Sequence, residues 1–217
     1  MRGRSAFDRA ARGLELLVAA RLRTAAVTVI HRGNLADLER VHEIAVGLGV
    51  EIWQVQLAMP LGRFADDAAE VIRADEIRPL EDRLAALIDR GGVRVMVGDN
   101  IGYYGPREPR IRGAATGREA FFKGCSAGVR VVGVRSNGDV KGCANQIGAP
   151  FVVGDVRTER LRAIWEDRDR WHWLHPAPER MGPSCAGCGL AKICQAGCTA
   201  LSYGATGHLF DNPYCLR

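Results

Sequence analysis

Seven cysteines, all between Cys125 and Cys215, are the residues of this 217-residue sequence whose type and spacing could carry chemistry. Cys185, Cys188, Cys194 and Cys198 are separated by two, five and three residues, so four thiols fall within 14 positions. Soft thiolates at short spacing gather around Zn²⁺ or iron–sulfur clusters. Two intervening residues let neighbouring side chains converge on one centre. A zinc site would take four ligands in a tetrahedron, and seven thiols do not divide into fours. They suit one four-thiolate cluster and one three-thiolate cluster whose last iron is open or held by another group. Spacing alone leaves zinc and iron–sulfur both open. Thiols buried only for packing would not recur so regularly. His208, between Cys198 and Cys215, is the one histidine placed to replace a missing ligand. His42, beside an apolar helical stripe, reads as a packed or surface residue.

Composition narrows the setting. The chain is 47% hydrophobic and 25% charged, which excludes a disordered tail, a collagen-like repeat and a coiled coil. No apolar stretch reaches the roughly 20 residues of a membrane span. Thirty Lys and Arg against 25 Asp and Glu give a formal charge of +5, but the arginines alternate with acids, as in RTERLRAIWEDRDR. Nucleic-acid binding would need that charge clustered, so no nucleic-acid partner is expected. The N-terminal segment after Ser5 carries Phe7, Ala10, Leu14, Leu17 and Val18 at helical spacing, with Asp8 and Glu15 interrupting the run. It reads as an amphipathic helix of the mature protein rather than a targeting peptide. A cytoplasmic location, where thiols stay reduced, is the expectation.

The elements that must position the chemistry fall into two halves. Ala25 to Arg32, Glu51 to Leu57 and Val93 to Val97 read as strands. Between them lie a helix capped by Asn34, carrying Leu35, Leu38, Val41, Ala45 and Leu48, and another from about Pro79 to Asp89. Strand–helix alternation predicts an α/β fold with a parallel sheet. Three parallel strands are too few to stand alone, so this half is expected to belong to a larger sheet or barrel completed elsewhere. Sites in such folds collect at the carboxyl ends of the strands. Here those ends carry His31, Arg32 and Asn34, then Met59 to Arg63, then Asp99, Asn100, Tyr103 and Tyr104. In the second strand Gln54 and Gln56 share the face predicted to look into a cavity, and Trp53, Val55 and Leu57 the face toward the helices. Beyond a polar connection, Asn137-Gly138 marks a hairpin that brings Cys125 and Cys143 together, followed by a short helix near Thr158 to Asp167.

The pattern Cys125, twelve residues, Gly138, four residues, Cys143, then CAGCGLAKICQAGC and Cys215, resembles the seven-cysteine signature of the SPASM domain. That domain is the C-terminal extension of many radical S-adenosylmethionine (SAM) enzymes. The likeness includes Gly124-Cys125-Ser126-Ala127-Gly128, the Asn137-to-Val140 turn and Ile164-Trp165. VTVIHRGNLADLERV and Met59 to Arg63 are similar to the closing units of the same family's partial barrel. The resemblance implies an incomplete parallel (β/α) barrel over residues 1–112, a linker over 113–122 and an α+β, cysteine-rich SPASM domain over 123–217. It implies two auxiliary 4Fe–4S clusters, the first held by Cys125, Cys143 and Cys198 and the second by Cys185, Cys188, Cys194 and Cys215. Many relatives have an eighth cysteine soon after the first. None stands between Ser126 and Asn137 here, so the first cluster would have an open or non-cysteine site.

The CxxxCxxC loop that chelates SAM in this family is absent from the sequence. The chain alone is therefore not expected to cleave SAM, which would act only in a complete enzyme. Implied partners are a peptide or protein substrate, a chain supplying the SAM-binding half and an electron-transfer partner. Gln54, Gln56, Asp99, Tyr103 and Tyr104 would border the reaction cavity. A non-catalytic cluster-bearing module for peptide binding or electron transfer, and a zinc-stabilised structural domain, are the alternatives.

Overall fold

A computed structural model describes residues 5–217. The arginine-rich start, residues 1–4, lies outside the described residues. The chain divides into two units, one of residues 5–58, 69–121 and Leu216–Arg217, the other of Met59–Ala68 and Phe122–Cys215.

The first unit opens with helix α1 (Ala6–Ala19), amphipathic as its spacing predicts, yet burying no residue completely. Strand β1 (Ala25–Ile30) leads through a short turn of helix, α2 (Arg32–Leu35), into α3 (Leu38–Gly47). Asn34 does not cap a long helix as expected. It sits inside α2, where its Oδ1 accepts the His31 amide at 2.9 Å and its Nδ2 donates to the Val29 carbonyl at 2.9 Å. Strand β2 (Ile52–Leu57), helix α4 (Ala74–Arg90), strand β3 (Arg94–Val97) and helix α5 (Glu108–Gly113) follow. Helix α4 starts five residues before the expected Pro79. Glu76 accepts the Arg73 amide at 2.8 Å and caps the true first turn. Burial of Ile77 and Leu80 offsets the backbone bond that Pro79 cannot donate.

The three strands form the expected parallel sheet in the order β1-β2-β3. Trp53, Val55 and Leu57 are buried, and with Leu38 and Ala45 of α3 and Leu80, Leu84 and Leu87 of α4 they make up the core of this unit. The opposite face is open. Val27 pairs with Gln54, Val29 with Gln56 and Gln54 with Met96, and Val27 and Val29 remain 56% and 42% exposed. Parallel sheets are normally covered on both faces.

At the end of β2, Asn100 extends the ladder: its Oδ1 accepts the Leu57 amide at 3.1 Å and its Nδ2 donates to the Leu57 carbonyl at 2.8 Å. Both bonds are buried, so Asn100→Ala leaves two unpaired backbone groups. Local opening there should become easier by about 2 kcal/mol. Hydrogen exchange at the Leu57 amide checks this, with about a 30-fold acceleration expected.

In the second unit, β4 (Gly133–Val134) and β5 (Asp139–Lys141) form the hairpin read from Asn137-Gly138. Strand β6 (Gly154–Asp155), unforeseen because two residues carry no periodicity, adds to the far edge of β5. Helices α6 (Leu161–Glu166), α7 (Ala191–Cys194) and α8 (Thr199–Thr206) complete it. Its core is Val140, Phe151, Val153, Ile164, Trp171 and Trp173. Gly128 is required there: its φ is +80°, and a Cβ would stand 2.5 Å from the Trp171 ring. The mixed architecture, a partial parallel barrel followed by a small cysteine-rich unit, is the expected fold class.

Candidate metal centre

All seven cysteines lie in the second unit, and all are free thiols. They fall into two electrostatic neighbourhoods. Cys125 and Cys143 both neighbour Cys198 and raise its thiol. Cys215, Cys185 and Cys188 act on Cys194, and Cys215 and Cys188 on Cys185.

Local structure explains the sorting. Cys194 ends α7, and Gln195, Ala196 and Gly197 then take left-handed φ values of 54°, 59° and 76°. Three such residues in a row reverse the chain, so Cys198, at the start of α8, faces a different group from Cys194. The C-terminal loop is tied down by its own side chains. Asp211 Oδ1 accepts the Ser184 amide at 2.8 Å, and Asn212 Nδ2 donates to the Ala196 carbonyl at 3.0 Å. Asn212 Oδ1 also accepts the Tyr214 amide at 3.0 Å. The segment bearing Cys215 is thereby fixed to both the Cys185 loop and the Cys194 turn. On the other side, Gln146 Oε1 accepts the Cys143 amide at 3.1 Å, and the Asn145 amide donates to Cys143 Sγ at 3.4 Å. Trp173 Nε1 donates to the Ala127 carbonyl at 2.9 Å, two residues after Cys125.

Burial pushes the Cys194 thiol up to about 12. It pushes Cys198 up to about 12 as well, with Cys125 adding to the effect and the Leu201 and Ala200 amides opposing it. Without a cation these thiols stay protonated at neutral pH. A metal or cluster must displace their protons and would supply the positive charge that stabilises the thiolates. Among the described residues, no three His, Cys, Asp or Glu side chains stand close enough to hold one metal ion. Sulfur donors, two groupings and an amide directed at sulfur fit iron–sulfur clusters.

His208 is committed elsewhere: its Nδ1 accepts the Phe210 amide at 3.1 Å. His42 is buried, edge-on to Trp53 at 5.6 Å between centroids, and burial lowers its pKa, keeping it neutral.

In the first unit, Gln54 and Gln56 are half-buried on the open sheet face and Asp99 is exposed. Tyr103 is fully buried, with its hydroxyl donating to the Asp99 carbonyl at 2.8 Å. It is a core residue holding its own loop. Tyr104 is half-buried and stacks on Phe121. His31 meets Glu70 at 2.6 Å, and Glu70 also accepts the Gly33 amide at 2.8 Å. The His31 bond first, and then the Gly33 amide, hold the Glu70 carboxyl below the usual range. Sequence reading named His31 but not Glu70, which lies 39 positions away with no pattern linking them.

Residues 125–189 match the SPASM iron–sulfur cluster-binding domain, covering Cys125, Cys143, Cys185 and Cys188. An AdoMet-dependent heme synthase of Methanosarcina barkeri is 31% identical over 97% of this chain and 61% of its own length. Residues 125–189 thus carry a SPASM domain, and the chain as a whole is similar to this AdoMet-dependent enzyme. Mycofactocin maturase MftC of Mycobacterium tuberculosis is 28% identical over 98% of this chain and 52% of its own length. The crystal structure of Streptococcus suis SuiB bound to precursor peptide SuiA superposes with a TM-score of 0.62. It is 15% identical, over 97% of this chain and 47% of SuiB. The chain thus spans about half to three-fifths of the length of the relatives it matches. Among the described residues no helix is long and apolar enough to cross a membrane.

Proposed function

We propose that this chain is the cluster-bearing part of a radical SAM enzyme that modifies a peptide or protein. The observation that carries the reading is the sorting of seven thiols into two neighbourhoods, Cys125, Cys143 and Cys198 against Cys185, Cys188, Cys194 and Cys215. Each set would hold one auxiliary 4Fe–4S cluster, the first with a site that no cysteine fills. When bound, such clusters supply iron for substrate binding and a route for electrons out of the substrate. The protein's own part is to hold the thiolates apart, exclude water with the Trp171 and Trp173 core, and donate amide hydrogen bonds to sulfur.

The open face of the sheet supports a barrel completed by further strands. Val27 and Val29 are exposed on the face that carries Gln54 and Gln56, and covering strands would turn that face into a cavity wall. Gln54, Gln56, Asp99 and Tyr104 would border the cavity. SAM would bind to the strands bearing CxxxCxxC, in the same polypeptide or in a partner chain. A peptide substrate is supported by the maturase relative and by the SuiA complex of the similar fold. An electron acceptor is the further partner, and the reducing cytoplasm is the compartment.

A second reading is a non-catalytic module that keeps its clusters for peptide binding or electron transfer. The DNA immediately before the first codon separates the two. An in-frame or adjacent CxxxCxxC supports the enzyme, and reductive cleavage of SAM to 5′-deoxyadenosine should then require both parts. Neither motif nor cleavage would leave the module.

A further inference from the structure

The carboxyl end of β1 carries a histidine on the open face of the sheet. His31 follows Ile30 with φ −141° and ψ 170°, so the chain is still extended there. Side chains alternate along extended backbone. Ile30 points into the core at 1% exposure, so His31 shares the face of Val27 and Val29. Their register partners Gln54 and Gln56 lie on that face too. His31 stands at its carboxyl end, where the sites of parallel α/β folds collect.

Both the backbone and the ring of His31 are fixed. Asn34 Oδ1 accepts the His31 amide and Asn34 Nδ2 donates to the Val29 carbonyl, each at 2.9 Å. Glu70 lies 2.6 Å from His31 Nδ1 and accepts the Gly33 amide at 2.8 Å. Position 33 must be glycine for this, because a Cβ would stand 2.5 Å from the Glu70 carboxylate and 3.1 Å from the imidazole. Arg32 holds the same segment, donating from Nη1 to the Ala69 carbonyl at 3.1 Å and from Nε to Glu76 at 3.0 Å. The ionised Glu70 makes Nδ1 the nitrogen that carries the hydrogen, which leaves the basic lone pair on Nε2 and raises its basicity. The side chain is 17% exposed, so the ring is held without being sealed off.

We propose that His31 is a catalytic acid–base residue of the cavity, exchanging a proton with the substrate at Nε2, and that Glu70 is its positioning residue. The inference rests on the reading of the open face as a cavity wall. A substrate N–H, O–H or activated C–H gives its proton to Nε2 and keeps the bonding pair. The imidazolium that forms is neutralised by the Glu70 carboxylate across Nδ1 and returns the proton to water.

Two measurements on the full chain test the pair: nitrogen-15 NMR of its histidines, and modification by diethyl pyrocarbonate read by peptide mass spectrometry. In the wild type the hydrogen of neutral His31 should reside on Nδ1, and finding it on Nε2 overturns the proposal without any variant. His31 should be carbethoxylated about tenfold more slowly in Glu70→Gln and at nearly the wild-type rate in Glu70→Asp. A pair that only staples the loop predicts the reverse, since freeing the ring exposes it. Equal or faster modification in Glu70→Gln therefore overturns the proposal. In the complete enzyme turning over a peptide, His31→Gln should lower kcat by about a hundredfold or more with KM little changed. An unchanged kcat overturns the catalytic role. Failure of the enzyme reading itself would show in iron and sulfide analysis, which neither histidine measurement uses.

Discussion

Replacing Cys198 with Ala is expected to halve the iron and sulfide of the chain, from about eight of each to about four, while the second cluster's spectrum survives. Replacing Cys194 with Ala should do the reverse. The two residues are only four positions apart, so sequence distance predicts no such independence. The reversal at Gln195, Ala196 and Gly197, all with left-handed φ, separates their fates. Cys198 is influenced by Cys125 and Cys143, and Cys194 by Cys215, Cys185 and Cys188. Iron and sulfide analysis with electron paramagnetic resonance of both variants checks the expectation. Loss of both clusters on either replacement would mean that the thiols act as one set.

The second large effect is a dependence of stability on pH. Glu81 of α4 is completely buried, and neither of its oxygens has a hydrogen-bond partner of normal geometry. Burial first, and then the Glu108 charge, push its carboxyl up to about 7; Arg78, the Arg107 amide and Arg112 only partly offset this. Glu108 itself is bonded to Arg112 at 2.7 Å and to the Tyr104 amide at 2.6 Å. Because the folded carboxyl holds its proton more tightly than the unfolded one, the fold's full stability is present below about pH 4.5. It declines as pH rises through about 7. The loss at pH 8 is on the order of 3 kcal/mol. Glu81→Gln, neutral throughout, should match wild type at pH 5 and exceed it by that amount at pH 8. Hydrogen-exchange mass spectrometry of the α4 and α5 peptides reads the difference. Equal protection in both proteins at pH 8 would show that Glu81 is not held neutral by its surroundings.

Much of this architecture was legible in the chain. The strands announce themselves as β-branched runs, and the alternation of Trp53, Val55 and Leu57 with Gln54 and Gln56 matches their burial residue by residue. The resemblance to a known signature is what implied the two thiol groupings; spacing alone did not divide them. Other features carry no periodic signal. Nothing in Leu80-Glu81 marks the glutamate as buried, since it flanks an ordinary apolar stripe. The cause is distant: the loop after β3 lies so close that Cβ atoms on Gly102 and Gly105 would stand 2.1 and 2.4 Å from its oxygens. The Gly-Tyr-Tyr-Gly run is the trace of that approach, but it does not name the partner. Pro79 misled the reading of α4 because proline favours first turns, and here tertiary burial of Ile77 outweighs that preference.

The most direct test of the central claim is metal and sulfide analysis of the full chain purified without oxygen. Two clusters on seven thiols predict a brown protein with about eight iron and eight sulfide per chain and no zinc. A colourless protein holding stoichiometric zinc and no sulfide would contradict it.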